Sequence, residues 1–333
     1  MAGIKEVAGR AGVSIATVSH VLNGTRQVLP ATEERVLEAV RALGYRPNAA
    51  ARDLALGQSR LLGLMVSDIC NPFFPEILKA FQDQANLRDM EAIVMNTNYD
   101  SHRTLSGVNR LLGLQVPGVA VMTSQVDPSV IQQLASHGIC AVYLDLGRVD
   151  RFISNVIVDC EHGIEKAVDH LCGLGHVRLG YIGGPAHLQS SSRRKEAFLN
   201  SAARVRTEVR TVDADFSVQG GYFACSRLLA GFAATAIVAA NDLMAIGAMH
   251  CVYDRGLRIP ADVSVVGFDD ITFSQFTQPA LTTVAVSRRT IGCLAFQALS
   301  QMLDDPQHQG SEYRVETHMV IRQSTAPLGG EGK

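Results

Sequence analysis

The chain has 333 residues, 47% of them hydrophobic and 19% charged, with a formal net charge of −2. This length predicts two or three domains, and the apolar fraction excludes global disorder. No run of 18 apolar residues and no secretory signal pattern occurs, which predicts a cytoplasmic protein without a membrane span. The seven cysteines show no C-x-x-C spacing and are expected to be reduced thiols.

The charge is unevenly distributed along the chain. Residues 1–60 contain eight Lys or Arg and five Asp or Glu, a net charge of +3. Of the 30 basic and 32 acidic residues of the whole chain, 22 and 27 therefore remain, a net charge of −5. The near-neutral total argues against a nucleic-acid partner for the whole chain, whereas the basic first segment is compatible with one.

Three short helices are predicted in residues 1–46. The first has one apolar stripe and ends at Gly12, and Ser14 caps a second helix from Ile15 to Leu22. A third follows from Pro30 to Leu43. The expected core of this segment is Val7, Val18 and Val36. Two helices joined by a short turn containing glycine are typical of a helix-turn-helix, although other small three-helix lobes share this pattern.

The second helix carries the candidate DNA-binding side chains. Its outward residues are expected to face base edges in the major groove, and the short polar groups around them suit phosphate contacts. These candidates are Ser14, Ile15, Ala16, Thr17, Ser19, His20 and Asn23. His20 can hydrogen-bond a base, whereas Ile15 and Ala16 offer apolar contact.

Residues 49–56 form an alanine-rich segment that Asn48 can cap and Gly57 can end. Eight residues are fewer than the ~12–15 at which isolated helices become marginal. A helix here would be ordered only when another structure holds it. From the residues alone, a plain linker is the preferred interpretation.

From residue 61 onward, short apolar runs alternate with longer periodic stretches. The expected strands form two series of five, 62–66, 92–95, 118–122, 140–144 and 155–158, then 179–182, 211–212, 236–239, 263–266 and 283–286. Strands that alternate with helices predict two parallel sheets covered on both faces. A helix over 288–303 and an apolar segment over 313–321 complete the chain.

The sequence shows no catalytic constellation. The run Gly173–His176 precedes a strand and does not complete G-x-G-x-x-G, and no Walker A, G-x-S-x-G or H-E-x-x-H motif occurs. We therefore expect a protein that is not an enzyme and needs no metal or cofactor.

Several polar and aromatic residues follow the expected strands, where open α/β sheets bind ligands. These candidate effector-binding residues are Phe73, Phe74, Ser190, Arg194, Phe216, Asn241 and Asp269. Arg, Asn and Asp suit a hydroxyl-rich ligand such as a sugar, and a purine-like ring stacked on the aromatics is the alternative. Phe74 could instead belong to the core, and Asp242 and Asp270 are expected to cap turns or helices.

Long motifs in this chain resemble the LacI-type transcriptional regulators. They occur in family order from about residue 4 to residue 322. The similar stretches are residues 4–24, 43–52, Asn71-Pro72-Phe73-Phe74, Ala240-Asn241-Asp242, 265–270 and 279–284.

The resemblance implies an all-α helix-turn-helix head and a two-lobed α/β sensor domain of the periplasmic-binding-protein type with two parallel sheets. The expected bounds are 1–46 for the head, 47–60 for the hinge and 61–333 for the sensor domain. The first lobe would take 61–158 plus 288–320, and the second 159–287 plus the tail. The tail after Ile321 has no heptad repeat, which predicts a dimer and no coiled-coil tetramer.

The family resemblance also implies a mechanism. A homodimer would repress transcription on a pseudo-palindromic double-stranded operator, controlled by a small effector between the lobes. Leu54 matches the leucine that wedges into the minor groove, and Ile15, Ala16 and His20 match the family's specificity positions. Arg26 can add a phosphate or guanine contact. Asp53 and Ala55 depart from the family's hinge pattern, which puts the strength of the hinge in doubt. A cytoplasmic solute-binding protein without a DNA role is the rival class.

Overall fold

The computed structural model describes residues 2–45, 59–123, 127–305 and 307–329, and for Asn23 the backbone only. The chain divides into two compact units, Met1–Arg60 and Leu61–Lys333, which we call the head and the body. The expected hinge residues 49–56, including Leu54, lie outside the described residues.

The head consists of α1 (Ile4–Ala11), α2 (Ile15–Asn23) and α3 (Pro30–Leu43). Each helix ends in a glycine whose positive φ provides a left-handed C-cap. The Ser14 side chain accepts a hydrogen bond from the backbone N–H of Thr17 at 3.1 Å, as expected of an N-cap. The predicted core is confirmed, because Val7, Val18 and Val36 are all 0% exposed.

The body alternates strands and helices in two lobes. Its elements up to the first change of lobe are β1 (Leu61–Val66), α4 (Phe73–Asn86), β2 (Glu91–Asn96), α5 (Ser101–Gly113), β3 (Gly118–Met122), α6 (Pro128–Ser136), β4 (Cys140–Leu144) and β5 (Ile153–Val158). The second lobe follows with α7 (Cys160–Gly173), β6 (Arg178–Gly183), α8 (Gln189–Arg204), β7 (Glu208–Asp213), α9 (Val218–Leu229), β8 (Ala236–Ala239), α10 (Asp242–Asp254), β9 (Ser264–Asp269) and β10 (Thr282–Val286). The chain ends with α11 (Arg288–Asp304), β11 (Glu312–Val315) and β12 (Thr317–Val320).

Two six-stranded sheets organise the lobes, in the orders β11-β5-β4-β3-β1-β2 and β12-β10-β9-β8-β6-β7. The central strands are rich in Val, Ile, Leu and Ala and are buried along their length, because helices cover both faces of each sheet. The expected α/β fold with two sheets is confirmed. Ligands in such sheets bind beyond the carboxyl ends of the strands, and here the two sets of ends face one cleft.

The tail differs from its expected course. The single apolar segment expected at 313–321 forms two strands in different sheets: β11 pairs parallel with β5, and β12 pairs antiparallel with β10. The second sheet is therefore not wholly parallel, and the residues of β12 belong to the second lobe rather than to a first-lobe segment 288–320. The pattern of apolar residues continues through Glu316. The sequence therefore gives no sign that the chain passes from the first lobe to the second at this point.

The body chain passes between the lobes at three points within the described residues, after β5, after β10 and after β11. The seven cysteines are free thiols, of which Cys70 alone is exposed. In the described ranges no helix combines the length and apolar character needed to cross a bilayer.

Candidate ligand cleft and DNA-binding surface

A cleft between the lobes has ≈ 520 Å³ of empty space, including solvent at its mouth. Its thirteen lining residues are Asn71, Phe73, Phe74, Tyr99, Met122, Leu144, Asp145, Val158, Ser190, Arg194, Phe216, Asn241 and Asp269. All seven candidate effector-binding residues are among them. The structure thus brings these seven together, and their contact with an effector stays a prediction.

Six lining residues were not predicted from the sequence. Asp145 directly follows β4, so the rule used for the other candidates also applies to it. Asn71 lies in the motif that contains the two phenylalanines, and Tyr99 follows β2 by three residues. Met122, Leu144 and Val158 are the last residues of their strands. Nothing distinguishes those three from core residues in the sequence.

Arg194 and Asp269 form the charged centre of the cleft. Arg194 Nη2 lies 3.7 Å from Asp269 Oδ1, and the side chains are only 11% and 5% exposed. Arg194 Nη1 donates to the carbonyl oxygen of Ala240, and its guanidinium lies 4.1 Å from the ring centre of Phe268. This stacking and the backbone contact hold the guanidinium in one position.

Asp269 is a buried carboxyl group with unused hydrogen-bonding capacity. Burial raises its pKa to about 6, and the nearby Arg194 and Arg288 oppose the rise. Its Oδ1 has no hydrogen-bond partner among the described residues. The residue also has a φ of 109°, a conformation rarely adopted outside glycine. A strained residue with an unsatisfied buried acceptor is suited to receive a hydroxyl donor from a ligand.

Asp242 lies below the cleft and has a structural role. It accepts hydrogen bonds from the backbone N–H of Ile271, from Ser274 Oγ at 2.6 Å and from Thr283 Oγ1 at 2.5 Å. Burial, with Asp269 adding to it, raises the pKa of Asp242 to about 7. Asp270 pairs with the guanidinium of Arg322 at 2.6 Å. Neither Asp242 nor Asp270 lines the cleft, as expected. The expected capping roles are wrong, because Asn241 caps α10, while Asp242 binds Ile271, Ser274 and Thr283 and Asp270 binds Arg322.

Asn241 lines the cleft but already has two hydrogen-bond partners. Its Oδ1 accepts from the backbone N–H of Met244 and so caps α10, and its Nδ2 donates to the carbonyl oxygen of Phe216 at 3.1 Å. The amide therefore fixes the backbone position of Phe216, and one lone pair of Oδ1 remains for a ligand.

Aromatic rings form the walls of the cleft on both lobes. Phe73 and Phe74 contact each other edge to face, with ring centres 5.2 Å apart. The rings of Tyr99 and Phe216 lie 6.1 Å apart across the two lobes. A Cβ at Gly184 would lie 2.2 Å from the Phe216 ring, so only glycine fits there. Phe74 is 6% exposed and belongs to both the core and the cleft.

An ion pair between Arg193 and Asp145 connects the two lobes beside the cleft. Arg193 Nη1 lies 3.4 Å from Asp145 Oδ1 in the first lobe, and its Nη2 lies 3.3 Å from Glu161 Oε1 in the second. Burial raises the pKa of Asp145, while the N–H of Val158 and the two arginines oppose the rise. The lining thus contains one guanidinium and two carboxyl groups.

The head presents the predicted DNA-binding residues along α2. Ile15 is 44% exposed and Ala16 is exposed, while Thr17 and Ser19 are half-buried. The Ser14 hydroxyl lies 2.9 Å from Thr17 Oγ1 in addition to capping the helix.

Further along α2, His20 Nδ1 lies 2.8 Å from Thr25 Oγ1, which fixes the imidazole ring. Asn23 ends α2, and Arg26 is exposed in the following loop. Leu54 lies outside the described residues. The predicted outward orientation of Ile15 and Ala16 agrees with their exposure, and the DNA contacts themselves stay predictions.

Two family models match the chain in separate segments. Residues 3–48 match the lacI family of bacterial regulatory proteins, and residues 168–325 match the periplasmic binding protein-like domain. The first match covers the three helices of the head, and the second covers most of the second lobe and the tail.

Two relatives match the chain from end to end. The HTH-type transcriptional repressor PurR of Mannheimia succiniciproducens is 31% identical over 333 residues, which cover 98% of this chain and 100% of the relative. Catabolite control protein A of Priestia megaterium is 32% identical over 328 residues, or 97% of this chain and 98% of the relative.

Two solved structures have the same architecture. The Lac repressor dimer bound to operator and the anti-inducer ONPF superposes with a TM-score of 0.86 at 29% identity, covering 98% of this chain and 99% of the other. The complex of the transcriptional regulator CelR with cellobiose has a TM-score of 0.74 at 27% identity, covering 97% and 100%. The relatives are transcription regulators and not enzymes, and the chain likewise is no enzyme. With its helix-turn-helix head and two-lobed effector-binding domain, the chain belongs to the lacI family of bacterial regulatory proteins and is a transcriptional repressor.

Proposed function

We propose that this protein binds a pseudo-palindromic operator as a homodimer, and that a sugar or sugar derivative in the cleft changes its operator affinity. The observation that carries the proposal is the Arg194–Asp269 centre between aromatic walls, in which Asp269 Oδ1 is buried without a hydrogen-bond partner among the described residues. A ligand hydroxyl supplies the missing donor, and the rings pack on the faces of a sugar. Because its proposed partner is operator DNA, we place the protein in the cytoplasm.

The charges of the cleft favour a neutral ligand. Two carboxyl groups, on Asp145 and Asp269, face the space together with the guanidinium of Arg194. Arg193 and Arg194 already pair with these carboxyl groups at 3.4 and 3.7 Å, so neither guanidinium is left as an uncompensated positive charge for a phosphate or carboxylate on the ligand. Hydroxyl groups can donate to carboxylates and accept from the guanidinium, so a neutral polyol satisfies both.

A purine-like effector acting as a corepressor is the alternative. The rings of Tyr99 and Phe216, 6.1 Å apart and inclined by 32°, offer aromatic faces on which a planar base can stack. The polar groups of Asn71 and Ser190 beside them could bind the edge of the base.

A thermal-shift screen of the full-length chain distinguishes these ligands. The panel contains neutral mono- and disaccharides, sugar phosphates and nucleobases, each at millimolar concentration. At about 100 times its Kd, a ligand stabilises the protein by ~2.7 kcal/mol, which raises the Tm by several degrees. We expect the shift from a neutral sugar. A shift from nucleobases alone supports the alternative, and a shift from sugar phosphates alone contradicts the neutral-ligand proposal.

For DNA binding, we assign base contacts to Ile15, Ala16 and His20. The contact of His20 Nδ1 with Thr25 leaves Nε2 as the nitrogen that can reach a base edge. Phosphate contacts are assigned to Arg26 and to the short polar residues, which are Ser14, Thr17, Ser19 and Asn23. The family resemblance assigns Leu54 to the minor groove.

Selection of DNA from a random library by the full-length chain tests operator recognition. We expect an enriched pseudo-palindrome with half-sites about one helical turn apart, and a His20→Ala variant that selects a relaxed consensus. A library without enriched sequence would contradict the operator proposal.

The homodimer needs an apolar surface, and the body has one. We define the aromatic face as Phe223 on α9, Tyr253 on α10 and the loop residues Phe273 and Phe276, which are 55%, 41%, 58% and 75% exposed. Tyr253 joins the two parts of this face, because its hydroxyl donates to the carbonyl oxygen of Gln278 at 2.7 Å. Exposed aromatic clusters of this kind mark protein interfaces. A second copy of the chain is the proposed occupant, since the similar Lac repressor structure is a dimer.

Phe276→Glu should convert the dimer to a monomer. A central interface aromatic contributes ~2–4 kcal/mol, so the dimer Kd should rise about 30-fold or more. Sedimentation velocity over a concentration series measures it. Val177→Glu, which adds the same charge at a position 56% exposed elsewhere in the body, is the matched control and should remain dimeric. Identical dimerisation of both variants would contradict this interface.

Effector affinity should rise between pH 5 and pH 7.5. The pKa of Asp269 in the ligand-free cleft is about 6, so the carboxyl is mostly protonated at pH 5 and ionised at pH 7.5. A carboxylate accepts a stronger hydrogen bond from a hydroxyl, so ligand binding lowers this pKa and releases protons at the acid end. We expect a rise of about 3- to 10-fold by calorimetry with the best ligand of the screen. Asp269→Asn should show a flat profile, and a wild-type affinity that falls over this range would overturn the assignment.

A further inference from the structure

Arg288 contacts both sides of the cleft without lining it. It is the first residue of α11, directly after the second change of lobe, and its side chain is 11% exposed. Its Nε donates to Glu76 Oε2 at 2.7 Å, and its Nη1 donates to the backbone carbonyl oxygen of Asp269. A buried guanidinium with two such partners is held in a defined position.

The two partners of Arg288 belong to opposite lobes. Asp269 ends β9 in the second sheet, whereas Glu76 is in the first turn of α4. The same turn begins with Phe73 and Phe74, which line the cleft. Arg288 therefore joins the backbone of one cleft residue to the helix that carries two others.

Arg288 is fixed to the first lobe by tight helix packing. Helices α11 and α4 approach closely at Gly292, where a Cβ would lie 2.5 Å from the carbonyl oxygen of Ile77. This contact leaves little freedom for α11 to slide along α4. A displacement of the Asp269 carbonyl is therefore transmitted through Arg288 to the start of α4 and is not absorbed by movement of α11.

On the second-lobe side of Arg288, the backbone at the end of β9 is strained. Asp269 and Asp270 have φ values of 109° and 54°. Asp242 and Arg322 hold this segment from the second lobe through Ile271 and Asp270. A segment held in a rarely populated conformation by opposing contacts can exchange between two arrangements when one contact changes.

We propose that Arg288 is a positioning residue for the effector response, because it couples the Asp269 backbone in the second lobe to Glu76 and the first turn of α4 in the first lobe. The proposal rests on the proposed effector function and concerns the regulation of that site. When a ligand hydroxyl binds the Asp269 carboxyl group, the carbonyl of the same residue shifts, and Arg288 transmits the shift to the aromatic wall of the first lobe. The Arg288 side chain itself does not contact the ligand.

Hydrogen exchange measured by mass spectrometry on the full-length, ligand-free protein tests whether Arg288 couples the Asp269 backbone to Glu76. Arg288→Gln should increase exchange about 10-fold in peptides covering both 269–276 and 73–81. Arg289→Gln is the matched control: it removes the same charge from the adjacent, exposed arginine and should exchange like the wild type. The Tm of Arg288→Gln should stay within a few degrees of the wild type, which separates local coupling from general loss of stability.

Glu76→Gln provides the second variant, since Glu76 is 46% exposed and its replacement does not disturb the core. It should increase exchange in the same two segments, and Arg288→Gln added to it should cause little further change. Wild-type exchange in both single variants would overturn the proposal, as would an increase confined to 269–276. If Arg288→Gln does not fold, the hydrogen exchange of Glu76→Gln in the same two segments tests the proposal alone. The experiment contains neither DNA nor ligand, so its result is independent of whether an operator is selected or a sugar binds.

Discussion

Replacement of Arg194 by Ala should abolish the effector response and leave operator binding intact. The guanidinium is the one basic group among the lining residues, and a hydrogen bond to a charged group contributes ~1.5–3 kcal/mol. Its removal also takes a counter-charge from Asp269, which raises the pKa of that carboxyl further and weakens it as an acceptor at neutral pH. Together these losses should weaken effector binding about 100-fold or more.

Calorimetry with the best ligand of the screen measures the affinity, and fluorescence anisotropy with the selected operator measures DNA binding. Lys166→Ala, which removes one exposed basic residue from α7, is the control and should behave as the wild type. Arg194→Lys should recover only part of the affinity, because an ammonium group lacks the planar pair of donors. Parallel loss of operator binding and effector binding would mean that Arg194 serves the fold and not the ligand.

Val18→Glu should eliminate operator binding without disturbing the body. Val18 is fully buried with five other small apolar residues of the head, and burial of an unpaired carboxylate costs several kcal/mol. A three-helix unit of this size has little stability to lose. The head should therefore unfold, and specific operator affinity should fall by at least about 100-fold.

Calorimetry on this variant should retain the melting transition and ligand binding of the body. Ala42→Glu is the matched control, since it adds the same charge at an exposed position of α3. Unimpaired operator binding by Val18→Glu would show that the buried head core is not required for recognition. Simultaneous loss of the body transition would show that the two compact units do not fold separately.

Hydrophobic periodicity predicts the elements of the body well where strands are central and buried. Strand β3, expected at 118–122, has those bounds, and β8 and β4 agree equally well. Strand β7, by contrast, was expected only at 211–212 but runs from Glu208 to Asp213. It is an edge strand with alternating exposed residues, so its apolar run is short although its backbone pairs fully with β6.

The candidate cleft was predictable because of a topological rule that needs only strand order. Residues at the carboxyl ends of parallel strands converge at one edge of the sheet, which locates Asn241 and Asp269 without coordinates. Arg194 lies within α8, and its place in the cleft is what the family resemblance implies. The partners of Arg193 and Arg288 were not predictable. Their contacts join residues 48 and 212 positions apart in the chain, Asp145 with Arg193 and Glu76 with Arg288, and no local pattern encodes such pairs.

The expected roles of the buried acids illustrate the same limit. The sequence correctly separates Asp269, in the cleft, from Asp242 and Asp270, which hold the backbone beneath it. It does not predict that Asn241 caps α10. Nor does it predict that Asp242 receives three donors, two from the loop after β9 and one from β10. Those contacts depend on how β9 and β10 lie beside β8, which is a property of the folded sheet.

The late position of β11 and β12 in the chain has a consequence for protein synthesis. Each sheet receives one edge strand from the short stretch between Glu312 and Val320, which is synthesised after all the other strands of that sheet. The three helices of the head pack on one another over short distances in the sequence, so the head can fold as soon as they emerge. Both lobes of the body must wait for the last strands. A ribosome that stalls before residue 312 would therefore expose two unfinished sheet edges in a chain whose DNA-binding head has already folded.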